Sequence, residues 1–314
     1  EMQNHAEEAI FKNIEIYSER YGWIEKNNFA QELGDQFFDQ IVLNGPSIIF
    51  EAVDEDDNSE SIFNKLGEIF ESHKIPDRYL RALVADVQKD QVTVLTENYD
   101  KEILIWDDQY GWARKRSNNK KGPKPDNFFD LVRKGDLVTL SNSESNQRII
   151  QIPPAEAAFV SMNPKNGHIK TYIGGTNFLK TKFDRVRQSF PQTGSSFKPF
   201  IYASAISRGY DASSLINDAP IIFEDENLED YWRPENYTKK FYGLTRLREA
   251  LVQSINIVSI KLLRNIGVEN VRNDLQAFGF EKRRLPNDLS LALGSSSFSP
   301  IEMTRAFSIL VNEG

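Results

Sequence analysis

Cysteine is absent from this chain of 314 residues. Its absence excludes disulfide bonds, thiol nucleophiles and cysteine-ligated zinc, although it does not identify the cellular compartment. Histidine is scarce, because His5, His73 and His168 are the only three and lie far apart without metal-ligand spacing. The sequence therefore predicts neither a metal site nor a cofactor.

Long hydrophobic runs and blocks of basic charge are absent too. No run reaches the roughly 18 apolar residues that cross a bilayer, and the opening EMQNHAEEAI lacks the basic and hydrophobic parts of a signal peptide. The formal net charge of −8 argues against nucleic acid as a partner. With 39% hydrophobic and 27% charged residues, the chain has the composition of a folded protein of about two domains.

Hydrophobic patterning divides the chain into four segments. Residues 1–24 carry apolar residues at helical spacing, and residues 25–76 are expected to form a mixed helical and irregular connection. Residues 77–153 alternate short β-branched runs with polar turns, and residues 154–314 mix strands with helices. We therefore predict a first helix, a small β-rich domain and a larger α/β domain.

The β-rich segment is predicted to be a small barrel or sandwich. Val92 and Val94 share one face of a strand, and Ile103 and Ile105 share a face of another. Several short strands within about 75 residues are typical of such folds.

The stretch TGSSFKPFIYASA places a serine and a lysine three positions apart at the start of a predicted helix. Ser195 and Lys198 would then lie on the same side of the helix, with their Cβ atoms about 5 to 6 Å apart. A serine hydroxyl becomes a good nucleophile when a base accepts its proton, and a lysine can be that base only when neutral. The spacing therefore permits a nucleophile and its base.

The same four-residue pattern also occurs at Ser117 to Lys120 in a polar loop, so the spacing by itself is a weak signal. A serine that caps a helix, with a lysine pointing to solvent, is the commoner meaning. Two features favour catalysis at Ser195 and Lys198. Gly194 suits a sharp turn before the helix, and the apolar run after Lys198 offers surroundings of low dielectric constant.

A second polar element, Ser254-Ile255-Asn256, lies between two apolar helical runs. A hydroxyl and an amide at a helix interruption can turn inward, contact a catalytic lysine and bind a substrate amide. The alternative is a simple helix break with local hydrogen bonds between side chains and backbone. Only the pairing with the serine and lysine favours the functional interpretation.

Four blocks of sequence occur in the order found in one protein family. They are TGSSFKPFIYASAI, WRPENY, LREALVQSINIVSIKLL and LALGSSSFSPIEMTRAFSILVNEG, and they lie within residues 155–314. In this order they resemble the transpeptidase domain of class A, bifunctional penicillin-binding proteins of the 1A type. Four ordered blocks are far more specific than either short motif.

The resemblance implies an α/β (α+β) fold of the penicillin-binding protein and serine β-lactamase type, incomplete at its C-terminus. Residues 154–314 would be the N-terminal part of the transpeptidase domain, and residues 77–153 a small OB-like domain inserted into it. Residues 1–24 would be a helix that packs with the transpeptidase domain, and residues 25–76 would be the connection.

The family also implies a serine acyltransferase, a peptidoglycan D,D-transpeptidase that cross-links the cell wall and is acylated by β-lactams. Ser195 matches the nucleophile, Lys198 the proton acceptor, and Ser254 and Asn256 the second wall of the cleft. Ser195 and Asn256 are the expected substrate-binding residues. The implied partners are stem peptides that end in D-Ala-D-Ala, β-lactam antibiotics and a regulatory protein at the OB-like insert.

The resemblance further implies a location at the periplasmic face of the bacterial inner membrane. It implies an N-terminal membrane anchor and a glycosyltransferase domain, and neither occurs in these 314 residues. We therefore expect an internal section of a longer protein.

Three departures from the family pattern stand out. Thr193 occupies a position where proline is more frequent, and Ile255 is bulkier than the polar residue often found at the centre of Ser-x-Asn. The third signature, Lys-Thr-Gly, does not occur in the chain. The strand that carries it would line the cleft opposite Ser195, so the activity of this section by itself is left open.

Two alternative functions share parts of this evidence. A serine β-lactamase or D,D-carboxypeptidase would use the same nucleophile and deliver the acyl group to water. A non-catalytic docking module for a cell-wall regulator would use the short-stranded segment and leave the helical part as its support. The ordered blocks favour transpeptidation over both.

Overall fold

The structure, a computed structural model, describes residues 1–24, 27–44, 57–117, 120–141, 147–153, 155–178, 181–221 and 232–312. The chain forms two compact units. The β-sheet unit comprises Asn4–Ala157 and Gly175–Phe183, and the Ser195 unit comprises Glu1–Gln3, Ala158–Gly174 and Asp184–Gly314. The Ser195 unit has one hydrophobic core, and the β-sheet unit has two.

The β-sheet unit combines helices with an antiparallel sheet. Its described helices are α1 (Met2–Tyr21), α2 (Ala30–Leu33), α3 (Asp35–Asn44), α4 (Asp57–Ser72) and α5 (Phe128–Leu131). Its strands are β1 (Tyr79–Val87), β2 (Gln91–Thr96), β3 (Lys101–Ile105), β4 (Arg116–Ser117), β5 (Lys120–Lys121), β6 (Leu137–Ser141) and β7 (Ile149–Ile150). Five strands form one sheet in the order β3-β2-β1-β6-β7.

Strand β1 is buried on both faces. Alternate side chains of a strand point to opposite sides, and each side of β1 packs in a different core. Ala82 and Val84 join a core that contains Trp23, Tyr110 and Phe128. Leu83 and Ala85, from the same strand, pack on helices α3 and α4 in a second core. The central strand therefore connects the two hydrophobic cores of this unit.

The predicted strand faces are confirmed. Val92 and Val94 lie on one face of β2 and are fully buried. Ile103 and Ile105 share a face of β3, which is exposed, whereas Leu104 on the opposite face is buried. The difference arises because β3 lies at the edge of the sheet and buries only one face.

The Ser195 unit mixes two-stranded hairpins with helices. Its strands are β8 (Phe159–Met162), β9 (Ile169–Ile173), β10 (Leu215–Asp218) and β11 (Gly243–Arg246). Its described helices are α6 (Lys198–Ile206), α7 (Leu247–Val252), α8 (Asn256–Ile266), α9 (Val268–Asp274) and α10 (Pro300–Val311). Strands β8 and β9 pair as an antiparallel hairpin. The predicted break between α7 and α8 is confirmed.

Helix α8 is the centre of the core of the Ser195 unit. It is buried on several sides, and helix α6 packs against it. The start of α6 is held by an aromatic cluster formed by Phe197, Phe200, Phe280 and Phe298. Truncating a buried phenylalanine to alanine typically costs about 3 to 5 kcal/mol, so this cluster holds the first turn of α6 firmly in place.

The two units divide helix α1, which the sequence pattern assigned to a segment of its own. Of helix α1, residues up to Gln3 group with the Ser195 unit, and the remainder groups with the β-sheet unit. The proposed domain boundaries, including the packing of residues 1–24, stay a prediction. Among the described residues, no helix combines the length and apolar character needed to cross a membrane.

Candidate active site

Ser195 lies at the beginning of a helix, in a turn of the 3₁₀ type that spans Gly194–Phe197 and leads directly into α6. Gly194 has a φ of 55°, a left-handed conformation that glycine adopts without strain. The Ser195 side chain is exposed, and its hydroxyl makes no hydrogen bond to any residue that the structure describes. Its neighbour Ser196 instead donates to the carbonyl of Thr193 at 2.6 Å.

The turn is held from behind by the segment Gly294–Ser296. The backbone N–H groups of Gly194 and Thr193 donate to the carbonyls of Gly294 and Ser296, each at 2.9 Å. A Cβ at Gly294 would overlap the backbone of Gly194, so only glycine permits this close approach.

The departure at Thr193 has a structural explanation. The bond from its N–H to Ser296 could not form with proline, which has no backbone donor. The Thr193 hydroxyl also donates a hydrogen bond to the Gly294 carbonyl oxygen, at 3.1 Å. Threonine therefore ties the turn of Ser195 to the Gly294 segment by both backbone and side chain.

Lys198 is fully buried although it carries an ammonium group. Its Nζ donates to the Ser254 carbonyl oxygen at 2.7 Å, to the Ser254 hydroxyl at 3.0 Å and to Asn256 Oδ1 at 2.8 Å. These three bonds use all three N–H donors of an ammonium. Burial nevertheless lowers the pKa of Lys198 to about 8, because a low-dielectric environment disfavours the charged form.

The break between α7 and α8 turns two polar groups toward this lysine. Ser254 has a φ of 54°, which is rare for a residue other than glycine. Ile255 is buried in the core beside it, and its apolar side chain anchors the break where the family often has a polar residue. The strained backbone at Ser254 therefore lets both its carbonyl and its hydroxyl face Lys198.

The side chain of Asn256 is oriented by a second hydrogen bond. Its Nδ2 donates to the Glu235 carbonyl oxygen at 3.0 Å, so its Oδ1 points to Lys198. An asparagine amide has two orientations that differ by a flip, and the bonds of both ends together select one. The WRPENY block, which contains Glu235, thus contacts the site.

The structure brings together three of the four residues that the sequence singled out. Lys198, Ser254 and Asn256 are in direct contact, and Ser195 lies three positions before Lys198 with its hydroxyl exposed. Their catalytic roles stay predictions.

Sequence reasoning did not identify Gly294 or Glu235 as residues of the site, although two of the matching blocks contain them. The available signal was a proline-flanked Glu-Asn pair and a Leu-Gly-Ser turn. Local patterns of this kind do not show which distant segment they contact.

Comparison with known proteins places this site in a family. A family model described as the penicillin-binding protein transpeptidase domain matches residues 157–314. The chain belongs to the penicillin-binding protein transpeptidase family. A second model, the penicillin-binding protein OB-like domain, matches residues 49–155, whereas the β-rich domain was predicted to begin at residue 77. The predicted fold class, a penicillin-binding protein transpeptidase fold with an OB-like domain, is confirmed.

Individual penicillin-binding proteins confirm the resemblance to the 1A type. The chain is 42% identical to penicillin-binding protein 1A of Pseudomonas aeruginosa over 74% of its own length and 28% of the relative. It is 33% identical to penicillin-binding protein 1A of Vibrio cholerae over 100% of its length and 36% of the relative. A crystal structure of penicillin-binding protein 1A from Haemophilus influenzae superposes with a TM-score of 0.77 at 27% identity, over 98% of this chain and 40% of that one. The chain thus spans roughly a third of the length of these curated relatives.

Proposed function

We propose that this chain supplies the nucleophilic side of a peptidoglycan D,D-transpeptidase that acts through a serine acyl-enzyme. One observation carries the proposal. A fully buried lysine whose pKa burial lowers to about 8 lies three positions after an exposed serine whose hydroxyl has no hydrogen-bond partner among the described residues. About a tenth of such lysines are neutral at pH 7, compared with fewer than about one in a thousand at the ordinary pKa.

In the first step, Ser195 Oγ attacks the carbonyl carbon of the penultimate D-alanine. The serine proton passes to neutral Lys198, the new C–O bond forms, and the C–N bond to the terminal D-alanine breaks. The proton that Lys198 accepted then leaves with the departing amine, which makes the terminal D-alanine a free amino acid. The product is an acyl-enzyme on Ser195.

In the second step, an amine from a neighbouring stem peptide attacks the ester carbonyl of the acyl-enzyme. Lys198 accepts a proton from that amine, the bond between the carbonyl carbon and Ser195 Oγ breaks, and Lys198 returns the proton to the serine oxygen. The net reaction exchanges one amide for another and forms the cross-link. β-Lactams would acylate the same serine by opening their ring amide.

The contacts of Lys198 suggest how the proton moves. The Ser254 carbonyl and Asn256 Oδ1 can only accept hydrogen bonds, whereas the Ser254 hydroxyl can accept or donate. When Lys198 is neutral, its two remaining N–H groups suit the two acceptors, and its one lone pair is left to accept a proton, from Ser195 during attack or from the Ser254 hydroxyl at other stages. Ser254 is therefore suited to pass a proton between Lys198 and the leaving amine.

The wider role of the protein follows from its relatives and is part of the proposal. We infer that the longer protein acts at the periplasmic face of the inner membrane and carries a glycosyltransferase domain. A regulatory protein that binds the OB-like domain stays a candidate partner. A pull-down with this domain as bait tests that interaction.

Mass spectrometry of the intact protein after incubation with benzylpenicillin tests the nucleophile. We expect a single adduct, mapped by peptide analysis to Ser195, and no adduct on the Ser195→Ala variant. Ser196→Ala is the matched control, since it removes a neighbouring exposed hydroxyl and should leave labelling intact. An undiminished adduct on Ser195→Ala would refute the assignment.

Product analysis separates transfer from hydrolysis. The full chain, and a version extended through the Lys-Thr-Gly strand of its relatives, would be incubated with a peptide ending in D-Ala-D-Ala and an acceptor amine. Transpeptidation predicts an amide product whose yield rises with amine concentration. Release of only the shortened acid would instead support the D,D-carboxypeptidase alternative.

A further inference from the structure

A buried asparagine lies behind the site without touching Lys198. Asn236, in the WRPENY block, is only 4% exposed. Its Nδ2 donates to both carboxylate oxygens of Asp218 at 2.9 Å and to the Lys240 carbonyl at 2.8 Å. Asp218 is itself fully buried and accepts a further bond from the backbone N–H of Tyr242 at 2.9 Å.

The carboxylate determines which way the Asn236 amide points. Only the NH₂ end of an asparagine can donate, so Nδ2 must face Asp218, and Oδ1 must face the other way. Oδ1 there accepts from the backbone N–H groups of Asn256 and Ile257, at 3.1 and 3.2 Å. These are the first two N–H groups of helix α8.

Asn236 thus caps the N-terminus of α8 although it lies 20 residues before Asn256 in the sequence. The residue in the cap position, Ile255, has no side-chain acceptor and makes no capping bond. The external oxygen satisfies donors that the helix cannot satisfy internally. The start of α8 is therefore attached to Asp218 through one amide group.

Glu235, the residue before Asn236, holds the side chain of Asn256. The Glu235 carbonyl accepts from Asn256 Nδ2 at 3.0 Å, while Asn236 holds the Asn256 backbone. Backbone and side chain of Asn256 are both fixed by consecutive residues. If either bond were lost, the Asn256 amide could rotate and present its NH₂ end to the ammonium of Lys198.

We propose that Asn236 is a positioning residue, which uses its bonds to Asp218 to hold Asn256 Oδ1 against Lys198 during acylation. The proposal rests on the proposed acyl-enzyme function. It assigns no contact between Asn236 and substrate. It predicts that losing the Asn236 amide alters the behaviour of Lys198 rather than only the stability of the fold.

The test is the rate at which benzylpenicillin acylates the full chain, measured by intact mass from pH 6 to 9.5 for the unaltered protein and for Asn236→Ala. We expect acylation at least tenfold slower for the variant. We also expect the midpoint of its pH profile to move to lower pH, because Lys198 loses an acceptor that favours its charged form. Asn217→Ala, an exposed asparagine on strand β10 next to Asp218, is the matched control and should match the unaltered protein.

A merely structural role would give a different result. Partial unfolding lowers the rate by one factor at every pH and leaves the midpoint where it was. An unchanged rate, or an unchanged midpoint with a uniformly lower rate, would overturn the proposal. If the unaltered protein is not labelled on Ser195, the proposed function itself fails, and this inference fails with it.

A second pair of variants addresses the case in which Asn236→Ala does not fold. Asn236→Asp places two carboxylates face to face, and we expect strongly reduced labelling. The double variant Asp218→Asn with Asn236→Asp exchanges donor and acceptor, so that a carboxylate meets the helix N–H groups and an amide faces it. We expect the double variant to be acylated at least tenfold faster than Asn236→Asp, though below the original rate because the Lys240 carbonyl loses its donor. No recovery would contradict the proposal.

Discussion

The pH dependence of acylation is the most direct consequence of the geometry around Lys198. The ammonium is fully buried, and burial lowers its pKa to about 8. If only neutral Lys198 accepts the serine proton, the rate follows the neutral fraction. That fraction is about 1% at pH 6, 9% at pH 7, 50% at pH 8 and 91% at pH 9.

The predicted profile therefore has a specific shape. The second-order rate constant for benzylpenicillin should rise about tenfold from pH 6 to 7 and less than about twofold from pH 8 to 9. A lysine with an ordinary pKa near 10.4 would instead give about a tenfold rise for each unit up to about pH 9. The direction follows because lowering the pKa moves the neutral form to lower pH.

Rapid-quench intact-mass measurements of the adduct on Ser195 would provide the profile. Lys198→Arg should abolish labelling, because a guanidinium does not lose its proton in this range. Lys165→Arg, at an exposed lysine, is the matched control and should keep the original profile. Circular dichroism at each pH would verify that the protein is folded throughout.

Two results would refute this reasoning. A rate that still climbs about tenfold from pH 8 to pH 9 would mean that burial does not lower the pKa of the lysine as described. A rate that is flat from pH 6 to 8 would mean that deprotonation of Lys198 is not needed for attack by Ser195.

Three further predictions concern Gly294, Ser254 and the start of α10. Gly294→Ala should slow acylation of Ser195 at least tenfold, because the added Cβ would overlap the backbone of Gly194. Gly209→Ala is the control, since Gly209 also has a positive φ but has open space around it. We expect this variant to be about 1 kcal/mol less stable and to be acylated at the original rate. Ser254→Ala should slow acylation about a hundredfold. Ser254→Gly should be equally slow yet about 1 kcal/mol more stable than Ser254→Ala, since the φ of 54° suits glycine; equal urea midpoints would contradict this. Ser299→Ala removes the capping box of α10 and should lower the free energy of unfolding by about 1 kcal/mol in urea titrations.

Local features of the site could be predicted from the sequence because they depend on neighbours within a few residues. The helix predicted at the TGSSFKPFIYASA stretch is present as α6, and Phe200, Ile201 and Ala205 in the apolar run after Lys198 are buried. The polar interruption from Ser254 to Asn256 does separate two helices. The order of the matching blocks identified the family.

Other features depend on which distant segments meet, and no local pattern contains that information. Lys198 and Ser254 are 56 residues apart, and Thr193 and Gly294 are 101 apart, yet each pair forms a hydrogen bond. The same limit explains the isoleucines of β3, whose exposure depends on the edge position of that strand rather than on its alternation.

The sequence by itself thus determined the helices, the break between α7 and α8, the family and the four candidate residues. Only the tertiary structure decided that Lys198 is buried, that Ser254 and Asn256 take all three of its donors, and that Asn236 supports the start of α8. The physical reason is that propensity and periodicity act through backbone neighbours. Burial of a charge and the lowering of its pKa arise only when remote segments pack around it and exclude water.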